Sequence, residues 1–337
     1  MNAIRIDGQT PGGSRRKLAE LVPLDTPFSI QIFPVYACNL ACRYCIHSLP
    51  VKERGFISKR ALLPIDLYKK AIDDVSLFPQ KLKMLRIAGT GEPLLHPHIA
   101  DMVAYAKDKQ VANSVDIVTN GVALSHDLSL ALINAGLDRI RISIQGLGDL
   151  AYAHINQEGV FDKLVEEIRY FFNNRKNTKI YVKIIDCALN IGDEERFLEL
   201  FGDICDYIAI EHLIPAVDQI DYTSLNKGEF GCTQNGNLVR DIKVCPQPFY
   251  MMQLNPDGNI VPCCAMETTA VIGNISTESM VDIWNGKKNK EFLLNQLRFN
   301  KNIYPVCQKC QQYKYAVFDE DILDCETESI INKIMHL

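Results

Sequence analysis

From Phe28 to about Leu213 short apolar runs alternate with longer amphipathic ones. The runs that read as strands are "FSIQIF" (28–33), "LKMLRIA" (82–88), "SVDIVT" (114–119), "DRIRISI" (138–144), "KIYVKII" (179–185) and "DYIAIEH" (206–212). Between them lie helical patterns: "PIDLYKKAIDDVSLF" with Pro64 at its start, "HIADMVAYAKDKQ", "SHDLSLALINAG" closing on Gly136, and "VFDKLVEEIRYFF". Repeated strand-then-helix units predict a parallel sheet, either curled into a barrel or left open.

Within the strands, alternation separates two chemistries. Ile140, Ile142 and Ile144 fall on one face of the fourth strand, and Arg139, Arg141, Ser143 and Gln145 on the other. The same parity collects Ser29 and Gln31, Asp116 and Asn120, Lys183 and Cys187, and Ala209 and Glu211 opposite the apolar positions. An eight-stranded barrel fills its centre with branched apolar side chains, so this polar set predicts a partly wet lumen able to hold ligands. The alternative is a one-sided antiparallel sheet with these residues in water, which the intervening helices disfavour.

After Leu213 the pattern changes. Residues 214–244 are polar without clear period, and "FYMMQLNPDGNIVPCC" predicts a hairpin turning at "NPDG". An amphipathic helix around "SMVDIWNGKKNKEFLLNQLR" follows, then "CQKC" and a polar tail. The expected division is an N-terminal extension (1–27), a barrel (28–215), a linker or insertion (216–244), a small domain organised around cysteines (245–315) and a C-terminal tail (316–337).

Composition narrows the function. Of 337 residues 47% are apolar and 23% charged, which is ordinary globular composition with no extended disordered tract. A net charge of -5 gives no electrostatic reason to expect nucleic acid or an anionic membrane as partner. The opening "MNAIRIDGQTPGGSRRKLAE" has a basic triplet but no apolar stretch to act as a signal peptide, and no run reaches the roughly 18 apolar residues of a membrane span. The expected location is cytoplasmic. A reducing cytosol does not keep structural disulfides, so the 12 cysteines read as metal ligands or redox groups. They cluster as Cys38, Cys42 and Cys45, then as Cys245, Cys263, Cys264, Cys307 and Cys310, with Cys187, Cys205, Cys232 and Cys325 scattered.

"CNLACRYC" places three thiols at gaps of three and two residues. Zinc would need a distant fourth ligand, for which His47 is the near rival. A 4Fe-4S cluster takes four ligands, so three cysteines leave one iron open to bind and reduce a ligand. In this spacing the chain resembles the radical S-adenosylmethionine (radical SAM) superfamily, which carries it in the loop after the first strand of a partial (β/α)6 barrel. "AGTGEPLLHP" is similar to the family's Gly-Gly-Glu-Pro segment, with Thr90 between Gly89 and Gly91; with Glu92 it would cradle the methionine amino group. Tyr44 matches the aromatic position near the adenine. Asn120, in the "TNG" that ends the third strand, and Ser143, at the ribose position ending the fourth, complete the implied set. The Gly-rich segment usual after strand five is not recognisable in "VKIIDCALN". Over 28–215, then, the resemblance implies SAM chelated by the open iron, reductive cleavage to a 5'-deoxyadenosyl radical, and hydrogen abstraction from a small-molecule substrate. It also implies an electron donor such as flavodoxin or ferredoxin, and neither nucleic acid nor membrane as partner.

Cys245, twelve residues, Gly258, four residues, Cys263, a gap and then Cys307-x-x-Cys310 resembles the twitch form of the SPASM module. The resemblance implies that these four cysteines ligate one auxiliary 4Fe-4S cluster, a second being unexpected because only Cys325 follows. Zinc on four thiolates is the alternative.

The radical has several possible fates. The "GNI" (273–275) and "DIW" (282–284) segments are similar to those of the 2-deoxy-scyllo-inosamine dehydrogenase family, implying oxidation of an alcohol on a carbohydrate-like or aminocyclitol substrate with the auxiliary cluster as electron acceptor. Glu211, with His212 ending strand six at the expected mouth of the barrel, is a candidate catalytic residue. Epimerisation is the alternative, with Cys187 or Cys264 as the thiol that returns hydrogen. Peptide maturation is another, for which a barrel starting near residue 28 implies that a leader-binding domain would be supplied by a separate protein. A non-catalytic metal-binding or electron-transfer protein is the reading from a different class. Of the rest, Cys205 is expected in an amphipathic helix within the core, His96 and His98 in capping or surface roles, and Trp284 in packing; Cys232 has no readable role.

Overall fold

The computed structural model describes residues 1–6, 15–155, 157–225 and 230–336. Its ten strands are β1 (Ile4–Arg5), β2 (Ser29–Ile32), β3 (Met84–Ile87), β4 (Val115–Thr119), β5 (Arg139–Ile144), β6 (Lys179–Ile185), β7 (Tyr207–Glu211), β8 (Met251–Leu254), β9 (Asn259–Val261) and β10 (Gly273–Asn274). They form one sheet in the order β1-β7-β6-β5-β4-β3-β2-β8-β9-β10. Strands β2 to β7 are the six expected from alternation, and all pair in parallel. Helices Ile65–Val75, Ile99–Asp108, His126–Asn134, Val160–Asn174 and Asp193–Phe201 make the crossovers. This is the partial (β/α)6 barrel.

Parity explains which face turns outward. Ile30, Ile32, Leu85, Ile87, Ile117, Ile140, Ile142, Ile180, Val182 and Ile208 are sealed from solvent in the main core with Tyr68, Ile72, Met102, Phe171 and Phe197 of the helices. Burying a side chain of that size contributes about 1.5–3 kcal/mol, so reversing the register of one strand would forfeit several such terms. The polar residues of the same strands are left to face the lumen.

Three features depart from the sequence reading. The cysteine-rich part does not stand apart from the barrel: β8 lies parallel on the free edge of β2, from Ser29 opposite Met251 to Ile32 opposite Leu254, and the expected hairpin with β9 extends the sheet further. An open edge of N–H and C=O groups accepts such a strand whatever its distance along the chain, and alternation does not reveal a strand's partner. The N-terminal extension supplies β1 to the opposite edge, on β7. The tail, read as polar, contains the helix Thr327–Met335. Its Ile330 and Ile334, with Leu323, pack on Leu18, Val22, Leu293 and Leu297, the spacing of four making an apolar stripe.

Smaller corrections follow. Cys205 is buried as expected but lies in the turn after the helix ends at Phe201, its thiol donating to the Phe201 carbonyl at 3.1 Å. The long helix expected around Trp284 is two, Met280–Asn285 and Lys287–Leu297, broken at Gly286. Ser279 caps the first by accepting from the Asp282 N–H at 3.1 Å. Trp284 packs in the core and donates to the Leu24 carbonyl at 2.8 Å. Among the described residues no helix is long and apolar enough to cross a membrane.

Candidate active site

The loop after β2 holds Cys38, Cys42 and Cys45, and backbone contacts fix its shape. Leu40 N–H points at the Cys38 sulfur at 3.4 Å, and Cys45 N–H donates to the Cys42 carbonyl at 2.9 Å. The Asn120 side-chain amide donates to Asn39 Oδ1 at 2.8 Å and approaches the Cys38 sulfur at 3.7 Å, tying the turn after β4 to the loop. Burial pushes the Cys38 thiol up to about 11 and the Cys42 thiol further, and the neighbouring thiols add to both shifts. Three such thiols become thiolates only against a cationic centre, which is what an iron–sulfur cluster supplies. His47 is not available as a rival ligand. Its Nε2 donates to the Thr90 carbonyl at 3.1 Å, and its Nδ1 accepts from Arg54 at 3.2 Å.

The strap after β3 lies flat against this loop. A Cβ on Gly91 would stand 1.8 Å from the Val35 carbonyl oxygen, and one on Gly89 2.1 Å from the Phe33 ring, so close approach requires both glycines. Glu92 N–H donates to the Ala37 carbonyl at 2.8 Å. The Glu92 carboxylate is buried and accepts from Leu94 N–H at 2.9 Å, the Thr119 hydroxyl at 2.6 Å and Asn120 N–H at 2.7 Å. Burial raises its pKa, and these donors offset that only in part. Three of about four acceptor sites are used, leaving one for a ligand donor. Thr90, between the glycines, sends its hydroxyl to the Met266 sulfur at 3.5 Å.

Across the mouth, the Tyr44 hydroxyl bonds Gln145, and the Gln145 amide donates to the Ser143 carbonyl at 3.0 Å. The Tyr222 hydroxyl donates to the Tyr44 carbonyl at 2.9 Å. Cys187, on the short turn Asp186–Ala188, packs with Tyr44, Cys45, Ile46, Tyr222 and Met266. The structure thus gathers Tyr44 and Cys187 near the front thiols, and Ser143 is joined to Tyr44 through its carbonyl and Gln145. Gln145 was visible in the polar parity of β5, whereas Tyr222 sits in aperiodic chain and carried no signal.

The lumen is polar, as alternation predicts. Glu211 is fully buried, bonded to Lys183, with Arg141 at 3.5 Å, the Tyr181 hydroxyl at 3.3 Å and the Gln234 amide at 2.6 Å. Burial pushes Glu211 upward, but Lys183 and Arg141 together outweigh it and hold the carboxyl below its usual range. The same burial lowers Lys183, which Glu211 only partly offsets. Below this group Asp116 takes Arg139 at 2.9 Å, with Arg86 nearby. Tyr181 shares the parity of Lys183, and Arg86 stands alone among apolar neighbours in β3.

Cys245, Cys263, Cys307 and Cys310 line a single cavity with Thr269, Phe292, Gln296, Lys301 and Tyr313. Gly258, at φ +85°, makes the hairpin turn that returns Cys263 toward Cys245. Zinc at about 2.3 Å from each sulfur would need thiols within roughly 4 Å of one another. Among the described residues no three Cys, His, Asp or Glu are gathered tightly enough to hold a single ion. Thiols spaced around a cavity fit the larger body of a cluster. Gln296 fits it too, since its buried amide has no nitrogen or oxygen partner in the protein and lies against the Cys307 thiol. Cys264 is not in this lining; its thiol points to Gln247 Oε1 at 3.7 Å, within reach of the Arg86 charge.

A second cavity lies between the two regions, lined by Val217, Asp218, Met266, Glu267, Lys309 and Cys310. A cleft of about 810 Å3 runs from Gly146 to Ala151 and across to Ala188, Asn190 and Arg196. It is formed by the segments that follow β5 and β6, and none of the cysteines or strap residues lines it. Of the two histidines expected in capping or surface roles, His96 is buried, with Nε2 against the Leu63 carbonyl at 2.9 Å and Nδ1 accepting from the His98 N–H at 3.2 Å where the next helix begins, while His98 is exposed and paired with Asp101 at 3.1 Å.

Comparison with known proteins places names beside this geometry. The Radical SAM superfamily profile matches residues 32–201, and that of SPASM, an iron-sulfur cluster-binding domain, matches 245–311. The chain is 25% identical over 315 residues to the tungsten-containing aldehyde ferredoxin oxidoreductase cofactor-modifying protein of Pyrococcus furiosus, covering 81% of this chain and 84% of that one. It is 33% identical over 135 residues to GTP 3',8-cyclase of Chlorobaculum tepidum, spanning 40% of this chain and 38% of the cyclase. Among solved structures, Streptococcus suis SuiB bound to S-adenosylmethionine superposes with TM-score 0.60 at 15% identity, covering 90% of this chain and 77% of that one. BtrN in complex with AdoMet and 2-DOIA gives TM-score 0.52 at 17% identity, covering 84% and 92%. At these identities the structures share the fold.

Proposed function

This chain belongs to the radical SAM superfamily, with S-adenosylmethionine and 4Fe-4S clusters as its cofactors, and from that premise we propose that it oxidises an alcohol on a small, polar, carbohydrate-like substrate. The observation that carries the proposal is the cavity shared by Met266 and Cys310. Met266 touches Thr90 of the Gly89–Glu92 strap, and Cys310 belongs to the rear cysteine set, so a molecule held there lies between the two. The bound cofactors supply hydrogen abstraction from an unactivated C–H bond and a one-electron acceptor.

The protein's own work is to bind, orient and exclude water. In this reading Cys38, Cys42 and Cys45 hold the front cluster, and Cys245, Cys263, Cys307 and Cys310 the auxiliary one. Gly89 and Gly91 let the strap lie close, the free acceptor site of Glu92 takes the methionine ammonium, and Tyr44, Asn120 and Ser143 line the nucleoside side. Glu211, held ionised by Lys183 and Arg141, is the base nearest the lumen, and a soluble one-electron donor such as flavodoxin or ferredoxin supplies reducing equivalents. The BtrN complex, which holds AdoMet and 2-DOIA in the same fold, supports a small molecule as substrate beside SAM. The names of the curated relatives leave cofactor modification and cyclisation as competing outcomes.

Epimerisation is the second reading, favoured by Cys187 beside Tyr44 and Cys45. Screening aminocyclitols and sugars for substrate-dependent 5'-deoxyadenosine, then analysing the product in deuterium oxide, separates the two. A dehydrogenase gives a product two mass units lighter with no solvent deuterium at the reacting carbon and tolerates Cys187→Ala. Deuterium at an inverted carbon, lost in Cys187→Ala, would replace oxidation with epimerisation.

A further inference from the structure

The cavity lined by the four rear cysteines is not electrically symmetric. On one side lies Gln296, near the end of the helix Lys287–Leu297, buried with its amide against the Cys307 thiol and without any other partner in the protein. Beside it lies Lys301, in the short turn Lys301–Ile303, whose ammonium bonds the Tyr313 hydroxyl and sits 4.0 Å above the Tyr313 ring. The charge of Lys301 acts on Cys245, Cys307 and Cys310. A leucine at 296 would fill the same space without desolvating an amide, so a buried glutamine whose one polar contact is the sulfur of Cys307 is explained by a role at the cysteine-lined cavity.

We infer that Gln296 and Lys301 form a donor wall that raises the reduction potential of the auxiliary cluster. A cluster in four thiolates carries net negative charge and gains another on reduction. An N–H group directed at its sulfurs, and a fixed cation beside them, stabilise the reduced form more than the oxidised one. Tyr313 keeps the ammonium at the cavity rather than in solvent. Both residues are positioning groups that act through the cluster and need not touch substrate. The inference rests on the oxidative reading for its purpose, since an electron acceptor needs a potential high enough to take the electron, but its measurement needs no substrate.

The test is a redox titration of the full-length, reconstituted protein followed by electron paramagnetic resonance. The Cys38→Ala, Cys42→Ala, Cys45→Ala triple variant identifies the auxiliary signal. Gln296→Leu and Lys301→Met should each move that midpoint to more negative potential with iron content retained, and Lys301→Arg should leave it in place. Unchanged midpoints in both variants would overturn the inference. So would loss of the auxiliary cluster from both, because a group that only tunes potential leaves assembly intact. Shifted midpoints in a protein that oxidises none of the alcohols tried would leave this inference standing and remove the proposed reaction.

Discussion

Gln31 and Gln253 are joined by a hydrogen bond of 2.7 Å from adjacent parallel strands, although 222 positions separate them. The rear cysteine region is therefore attached through the barrel's own sheet. Residues 1–244 alone would leave β2 as a bare edge and strip Ile30 and Ile32 of their neighbours Met252 and Leu254. That fragment should be insoluble or lack cooperative unfolding by circular dichroism. A soluble fragment with a sharp thermal transition would show that β8 is dispensable to the barrel.

Glu211→Gln would leave Lys183 and Arg141 buried without their shared carboxylate. Breaking a buried pair in this way costs about 3–5 kcal/mol, read as a lowered urea midpoint. The sign in acid follows from the lowered pKa of Glu211: its stabilisation is fully present above the ordinary carboxylate value of about 4.3 and is lost as pH falls through the lower folded value. Stability of the native protein should decline over that interval, and the variant should lack this component. Equal acid sensitivity in both would assign the decline to other carboxylates.

Gly91→Ala places a methyl group 1.8 Å from the Val35 carbonyl oxygen. Backbone cannot yield as a flexible side-chain tip can, so the strap must lift from the cysteine loop. SAM affinity, measured by equilibrium dialysis, should fall at least tenfold, about 1.4 kcal/mol, while iron content is kept. Unaltered affinity would separate the strap from SAM binding.

Two 4Fe-4S clusters require about eight irons and eight sulfides per chain after anaerobic reconstitution. Replacing Cys38, Cys42 and Cys45 together should leave about half, held at the rear. Stoichiometric zinc with only about four irons would return the rear cavity to the zinc reading.

What could be read from the sequence follows the range of each signal. Alternation is local, so the six parallel strands and the polar lumen face were visible in runs such as Arg139 to Ile144. The spacing of Cys38, Cys42 and Cys45 is also local, and it sits where the loop after β2 begins. Pairing between distant strands leaves no periodic trace, which hid β8 on β2 and β1 on β7. Tyr222, Gln234 and Met266 reach the site from chain without period, so nothing in their surroundings marked them. Closed hydrogen bonding removed His47 as a ligand, and that is a property of Thr90 and Arg54 rather than of the histidine itself.

The packing of Ile330 and Ile334 on Leu18 and Val22 bears on how the protein is made. The same cluster contains Val244 and Phe249, which flank Cys245. During synthesis Leu18 and Val22 must wait for a helix translated far downstream, and so must the walls on either side of Cys245. The surroundings of Cys38, from Ala37 through Glu92 to Asn120, are translated much earlier. Iron delivered while the chain is still on the ribosome would find the front thiols taking shape and the rear ones still apart, which orders the two loading events in time.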